Sequence, residues 1–432
     1  MSRLLVLGGC GEMGSAAVAD LVERTGHELT IGDVRPDAAV ELLRRLDAPE
    51  RFVRVDVDDP ASLAAALDGA EVVLNATYMR HNVPVTDAAI AAGAHLVDLG
   101  SYYPETLQQL DRHAAAVRAG CRVVPGCGVA PGLTNILARL GAERLDTVES
   151  VRIYSYITHP LWTSPGIVVT RFDASSGTSL VYEGGRLVER ASFGDPQRIV
   201  FPDPYGEQEV HLVPHPEPVT LPRSIDLQNV VFKVGYPADE TRRIRVLMEL
   251  GFDAEEPFDV DGVAIAPRRF AAAYIGRRGI GADDRSANVK QVCVDGARAG
   301  EPLTLVYDFA VERAGRSASS AITGTVAAIA ADLVARGGTA GVHPPEAAFD
   351  PARFLDALAD RGLAVSEREL RLDAPPGAQP SASALSSANS RSSSGTSARR
   401  LGRFTTIPSC VVRASTTIVS SSGEGFSSRC GT

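Results

Sequence analysis

Lysine is almost missing from this chain. Of 43 basic residues only Lys233 and Lys290 are lysine, and the rest are arginine. With so much alanine, this reflects GC-rich coding, so the arginines do not by themselves mark an anion-binding surface. Cysteine is also scarce. The six, at 10, 121, 127, 293, 410 and 430, have neither the density of a disulfide scaffold nor the spacing of metal ligands, so no bound metal is expected. Positive charge is in deficit: a net charge of −10 argues against general binding to nucleic acid or an anionic membrane, both of which need a basic surface. The opening apolar run, "RLLVLGG", is too short for a signal peptide and leads straight into a helix pattern. No apolar run approaches the ~20 residues of a membrane span. A cytoplasmic location is therefore expected.

What remains is an ordinary globular composition, 44% hydrophobic and 22% charged, long enough at 432 residues for two domains and a remainder. Up to about residue 145 the pattern alternates β and α. Buried-strand runs at 3–8, 28–33, 52–57, 71–77, 94–100 and 121–126 are separated by alanine-rich helical stretches. That alternation predicts βαβ units and a Rossmann-type, doubly wound parallel sheet in the α/β class. From 146 to 315 the texture changes to alternating strands, a hairpin around Gly184–Gly185 and one helix near 239–250. This predicts an inserted α+β domain for substrate binding and oligomerisation, and a homo-oligomer is expected. Helices in 316–374 are expected to return to the first domain. From 375 to 432 the chain is rich in Ser, Ala and Pro, cannot bury enough apolar surface to order itself, and is expected to be a disordered tail.

Gly9-x-Gly11-x-x-Gly14 follows the first strand and opens a helix, the context in which such glycines hold a dinucleotide. Gly9 is expected to make the tight turn, Gly11 to admit the pyrophosphate, and Gly14 to let helix and strand approach. The first-turn backbone at Glu12 and Met13 would face the phosphates. Asp33 ends the second strand 22 residues beyond Gly11, where a carboxylate holds an adenosine ribose hydroxyl. That favours NAD, although Arg35 could turn to receive the 2′-phosphate of NADP. Asp56 near the adenine, Asn75 near the nicotinamide ribose and Gly100 complete the expected cofactor set. Asp56 and Asn75 could equally be strand-end residues that make turn hydrogen bonds.

"VVPGCGVAPGLTN" (123–135) follows the sixth strand on the same sheet edge. Its glycines would let backbone pass beside a nicotinamide ring, or would serve as a hinge between domains. Candidates for the base and for charge stabilisation are Tyr102, Tyr103 and His81 just past strand ends, and Lys233 inside "VVFKVGY". In "HPEPVTLPRS" an extended chain would put His215, Glu217 and Arg223 on one face, a carboxylate for a substrate amine and an arginine for its carboxylate. Tyr102 and Tyr103 could be packing residues, and Lys233 a snorkelling edge residue. Lys290 has no comparable context.

"LGGCGEMG", "HLVDLGSYYPETL" and "GCGVAPGLTNILA" together resemble the saccharopine dehydrogenase family, most closely its lysine 6-dehydrogenase-like branch. "HPEPVTLPRS", "VVFKVGYP" and "GVHPPE" continue the likeness, which spans about residues 1–365. The resemblance implies an NAD(P)-dependent oxidoreductase acting on the C–N bond of an amino-acid substrate. It implies that the Pro-Gly loop, with Cys127, Gly128, Ala130, Thr134 and Asn135, lines the substrate crevice. Saccharopine-forming reductases tend to carry Asp where this chain has Ala130, so the expected reaction is oxidative deamination of an amine such as the lysine ε-amine. The alternatives are an imine reductase that joins an amine to an oxoacid, in the manner of saccharopine or carboxynorspermidine formation, and a non-catalytic NAD(H) sensor.

Overall fold

A computed structural model describes residues 1–46, 51–100, 102–158, 160 and 164–371. The serine-rich segment expected from 375 onward lies outside these. Short apolar strands alternate with helices in the first third: β1 (Arg3–Leu7), α1 (Glu12–Arg24), β2 (Glu28–Asp33), α2 (Pro36–Leu46), β3 (Arg51–Arg54), α3 (Pro60–Leu67), β4 (Val72–Asn75), α4 (Asn82–Ala92), β5 (His95–Asp98), α5 (Tyr103–Leu110), α6 (His113–Ala119), β6 (Arg122–Val124) and α7 (Leu133–Ala142). The strands are parallel in the order β3-β2-β1-β4-β5-β6. The order reverses between β1 and β4, the point at which ligands enter such sheets. Alternate residues face opposite layers: Leu5, Leu7 and Val73 join one core, Leu4, Val6 and Leu74 the other.

The chain then builds a second, mixed sheet. Its elements are β7 (Thr147–Ile157), α8 (Pro165–Ser175), β8 (Thr178–Glu183), β9 (Arg186–Ala191), β10 (Gln197–Phe201), β11 (Gly206–Leu212), α9 (Glu217–Ser224), β12 (Asn229–Gly235), α10 (Ala238–Glu249), the small hairpin β13 (Phe258–Val260) and β14 (Val263–Ile265), α11 (Pro267–Gly276), β15 (Arg285–Arg298) and β16 (Glu301–Ala314). Its main path runs β10-β11-β12-β7-β15-β16, with β8 and β9 attached at β12. Gly184 and Gly185 both take positive φ, 57° and 78°, as the tight β8–β9 turn requires.

After β16 come α12 (Ala318–Arg336), β17 (Gly341–Val342), α13 (Pro345–Ala348), α14 (Pro351–Ala359) and β18 (Val365–Arg371). The two sheets share this last stretch. β17 extends the first sheet beside β6, and β18 extends the second beside β16. β18 is a strand where helices were expected; its alternating, half-exposed residues suit a sheet edge. A second correction concerns α12. Its 19 residues, with mean hydropathy 1.5, are long and apolar enough for a membrane span, contrary to the expectation of no such run. The helix is apolar on nearly all sides because it is a core element: 72% of that window is buried, against α1, β4, β5, β15 and β16. At Gly324 a Cβ would lie 2.4 Å from Met13 O, so α1 and α12 cross backbone to backbone.

Candidate active site

The first glycine loop turns one residue earlier than its motif suggests. Gly8, not Gly9, holds the positive φ (70°), and a Cβ there would lie 2.8 Å from Ala76 O. Gly9 is confined instead by Ile31, whose methyl is 2.8 Å from its would-be Cβ. Gly14 lets α1 sit against the loop, since a Cβ would be 2.2 Å from Gly8 O. Gly11 caps α1 without any side chain, so the first-turn amides, those of Glu12 and Met13 among them, have no side-chain acceptor. The Glu12 carboxylate points away and accepts from Ser320 Oγ at 2.8 Å.

Asp33 sits beside this turn with its carboxylate occupied. It accepts from Cys10 N at 3.0 Å, and Arg35 reaches it with Nε at 3.0 Å and Nη2 at 3.2 Å. Burial works to raise the Asp33 pKa, but these hydrogen bonds outweigh it and hold the carboxyl below its usual range. Asn75 and Asp56 make turn hydrogen bonds. Asn75 accepts from Thr77 Oγ1 at 2.6 Å and donates to Asn82 Oδ1 at 2.9 Å, while Asp56 accepts from Asp58 N at 3.1 Å.

The second glycine loop answers to protein, not to a ligand alone. The Pro131 ring occupies the space a Cβ on Gly100 would need, 2.6 Å away, and lies 3.1 Å from that of Gly126. A Cβ on Gly132 would be 1.9 Å from Gly128 O. The loop's fold on itself and against β5 requires these glycines whatever ring passes beside them. One residue that the sequence reading passed over ties the loops together. Asp98, fully buried, accepts from Gly100 N and Gly126 N, each at 2.8 Å, and from Gln109 Nε2 at 2.6 Å. Within 123–138 only Ala130 keeps partial exposure. Cys127 and Gly128 are buried, as are Thr134 and Asn135. The Cys127 thiol is pushed well up by burial and donates to Val124 O.

Where α7 begins, side chains from four elements meet in a buried polar cluster. Thr134 Oγ1 donates to Glu217 Oε1 at 3.0 Å, and the other Glu217 oxygen is held by His215 Nδ1. The His215 ring stacks on Phe232 of β12, centroids 3.7 Å apart. Asn135 Nδ2 donates to Glu346 Oε2 at 2.9 Å, and its Oδ1 accepts from Gly132 N at 2.9 Å. Glu346 Oε1 is buried without a hydrogen bond of ordinary geometry. Burial, helped by the nearby Glu217 charge, raises Glu346 to about 7 against its hydrogen bonds.

Lys290 feels the charge of this cluster through Glu217, contrary to the expectation that it lacked context. It is 2% exposed, and its Nζ donates to Ser155 Oγ at 2.7 Å and to Asn288. Burial lowers its pKa to about 7, with Glu217 opposing the shift and Arg171 of α8 adding to it. Arg171 is itself buried, 3.9 Å from the Tyr236 ring centroid.

Comparison with known proteins agrees with this architecture. Residues 4–124 match the saccharopine dehydrogenase NADP binding domain, and residues 128–363 match the saccharopine dehydrogenase C-terminal domain. The chain belongs to the saccharopine dehydrogenase family. It is 23% identical over 317 residues to the carboxyaminopropylagmatine dehydrogenase of Synechocystis sp., covering 68% of this chain and 79% of that protein. Its fold is that of apo saccharopine dehydrogenase (L-Glu forming) from Saccharomyces cerevisiae, with TM-score 0.67 at 15% identity over 86% of this chain and all of the other. The homospermidine synthase of Legionella pneumophila, solved with NAD, gives TM-score 0.60 at 11% identity over 88% and 93%.

This saccharopine dehydrogenase family member is therefore an NAD(P)-dependent oxidoreductase. Its residues fit the dinucleotide: a glycine turn too tight for side chains, uncapped helix amides, and at the end of the second strand an acid paired with a half-exposed arginine.

Other expected site residues lie elsewhere in the family fold. Lys233 faces away from the cluster, donating to Asp195 Oδ2 at 2.7 Å and Gln197 Oε1 at 3.3 Å. The 215–223 segment is not extended. Pro216 and Pro218 suit a helix start, and α9 turns Arg223 about 120° from Glu217. Arg223 Nε bonds back to Val219 O at 3.1 Å. Tyr102 Oη donates to Thr170 O of α8 at 3.3 Å, joining the edge of the first sheet to the second domain, and burial raises its pKa. Tyr103 is half-buried at the start of α5. His81 pairs with Asp58 at 3.1 Å, and burial and Arg80 lower its pKa.

Proposed function

We propose that the protein transfers hydride between a nicotinamide dinucleotide and the carbon of a C–N bond in an amino-acid-derived amine. The observation that carries this reading is Lys290, buried, lowered to about 7 and electrostatically coupled to Glu217. In the oxidative direction the amine must be neutral before its carbon can release hydride. A lysine near 7 can take that proton at neutral pH. Glu217, held by Thr134 and His215, then offsets the positive charge that grows on the substrate nitrogen as the imine forms. The nicotinamide, when bound, accepts or returns the hydride. One amine and oxidised dinucleotide give one imine, reduced dinucleotide and the proton held at Lys290.

Two forms of the reaction fit this set: deamination of a primary amine such as the lysine ε-amine, and reductive joining of an amine to an oxoacid. The second is favoured by Arg171, a buried arginine whose charge reaches Lys290 and which suits a substrate carrying extra carboxylate. It is supported too by the names of relatives, a dehydrogenase of carboxyaminopropylagmatine and a saccharopine dehydrogenase. The test is absorbance at 340 nm with purified protein. NADH or NADPH consumption only when an amine and an oxoacid are present together supports the joining reaction. NAD(P)⁺ reduction by lysine alone, with ammonia released, would replace it with deamination. Tight NADH binding with silence in both assays would overturn the enzymatic reading in favour of a sensor.

A further inference from the structure

The second sheet has another face. Along β7 and β12, Ile153, Ser155 and Phe232 look toward the Lys290 cluster, so Arg152, Tyr154 and Lys233 look the other way. On that far face they floor a cavity of ≈ 500 Å³, walled by the β8–β9 hairpin and the segment entering β10. Its volume suits a small organic ligand.

The floor is unusually rich in donors. The Lys233 side chain is 4% exposed; its ammonium donates to the Asp195 carboxylate and carbonyl and to Gln197, and the Asp195 side chain is 66% exposed. Asp195 reaches inward from a segment where two non-glycine residues hold positive φ, Phe193 at 57° and Asp195 at 48°. Directly opposite Lys233 in the register stands Tyr154, whose buried hydroxyl has no hydrogen bond of ordinary geometry. Arg152 lies next along β7 and spends two of its nitrogens on Asp295. A buried ammonium held by an exposed, displaceable carboxylate, with a phenol beside it that shares only the Arg152 guanidinium, is a place for a second carboxylate. Val181 and Val231 add apolar wall and Glu149 adds negative charge, while Glu183 is paired at 2.6 Å with Arg190 of the same lining.

We infer that this cavity binds a free α-amino acid with an aliphatic side chain. Its carboxylate takes Lys233 and Tyr154 in place of the Asp195 carboxylate, its side chain lies on the two valines, and its ammonium faces Glu149. The site is separated from the redox cluster by the thickness of the sheet and does not depend on the reaction proposed above.

The test is isothermal titration of the full chain with L-norleucine, hexanoate and pentylamine, the last two each lacking one of its charged groups. L-Norleucine is expected to bind at least tenfold more tightly than either. Asp195→Asn, a change at an exposed side chain where Asn tolerates positive φ, should tighten that binding about tenfold by removing the internal competitor. Lys233→Met should weaken it at least tenfold, and Lys290→Met should leave it unchanged. Absence of L-norleucine binding at millimolar concentration, unchanged affinity in Asp195→Asn, or loss of binding in Lys290→Met would each overturn the proposal.

Discussion

Lys290 and Lys233, the only lysines in the chain, lie on opposite faces of one sheet. In the ladder Lys290 stands across from Ser155 of β7 and Lys233 from Tyr154, one residue earlier. That single step decides which lysine senses the Glu217 charge and which pairs with solvent-exposed Asp195.

Glu346 should make stability depend on pH with a defined sign. Its pKa rises from 4.5 to about 7 on folding, so between those values the folded state holds a proton the unfolded chain has lost. Its stabilising contribution is complete below 4.5 and lost as pH rises through about 7. Glu346→Gln should therefore gain on the wild type between pH 5 and 8, by up to roughly 3 kcal/mol. Lys290, lowered from 10.5 to about 7, acts oppositely: stability climbs from 7 to 10.5, and the climb should be missing in Lys290→Met. Urea unfolding at stepped pH measures both.

Arg35 should set cofactor preference. Its guanidinium, 55% exposed, fills the Asp33 carboxylate and can swing out to a 2′-phosphate. Arg35→Ala is expected to weaken NADPH at least tenfold and to leave NADH equal or tighter, because Asp33 is then free for the ribose. Fluorescence titration of the two reduced dinucleotides reads this directly. Equal losses for both would contradict it.

The second glycine loop should be far less tolerant than other glycines with positive φ. Gly132→Ala sets a Cβ 1.9 Å from Gly128 O at φ 126° and should cost ~3 kcal/mol or more, or prevent folding. Gly93→Ala, at φ 74° with nothing within 4 Å, should cost only about 1 kcal/mol. Thermal melting of the two variants makes the comparison.

The dinucleotide half was legible because its signal is local: strand, glycines, helix and acid follow one another within 31 residues, from Arg3 to Asp33. Which glycine makes the turn was not, since Gly8 is fixed by the backbone of Ala76, just past β4. His215, Glu217, Thr134 and Asn135 were visible as polar residues in suggestive motifs. Their meeting with Glu346 joins positions 211 residues apart, which no spacing rule anticipates. Lys290 was missed for a related reason. Both lysines sit in apolar strands, and only the register across β7 says which face each one takes.

The central claim is that Lys290 exchanges the proton of the C–N oxidation. The most direct test is the pH dependence of kcat/KM in the oxidative direction for wild type and Lys290→Met, with NADH affinity measured alongside. The account predicts a wild-type rate that rises through pH ~7 to a plateau, following the lysine lowered to about 7. In the variant that inflection should vanish and kcat/KM fall ~100-fold or more, with NADH binding intact. A Lys290→Met enzyme within a few-fold of wild type, titrating at the same pH, would contradict it.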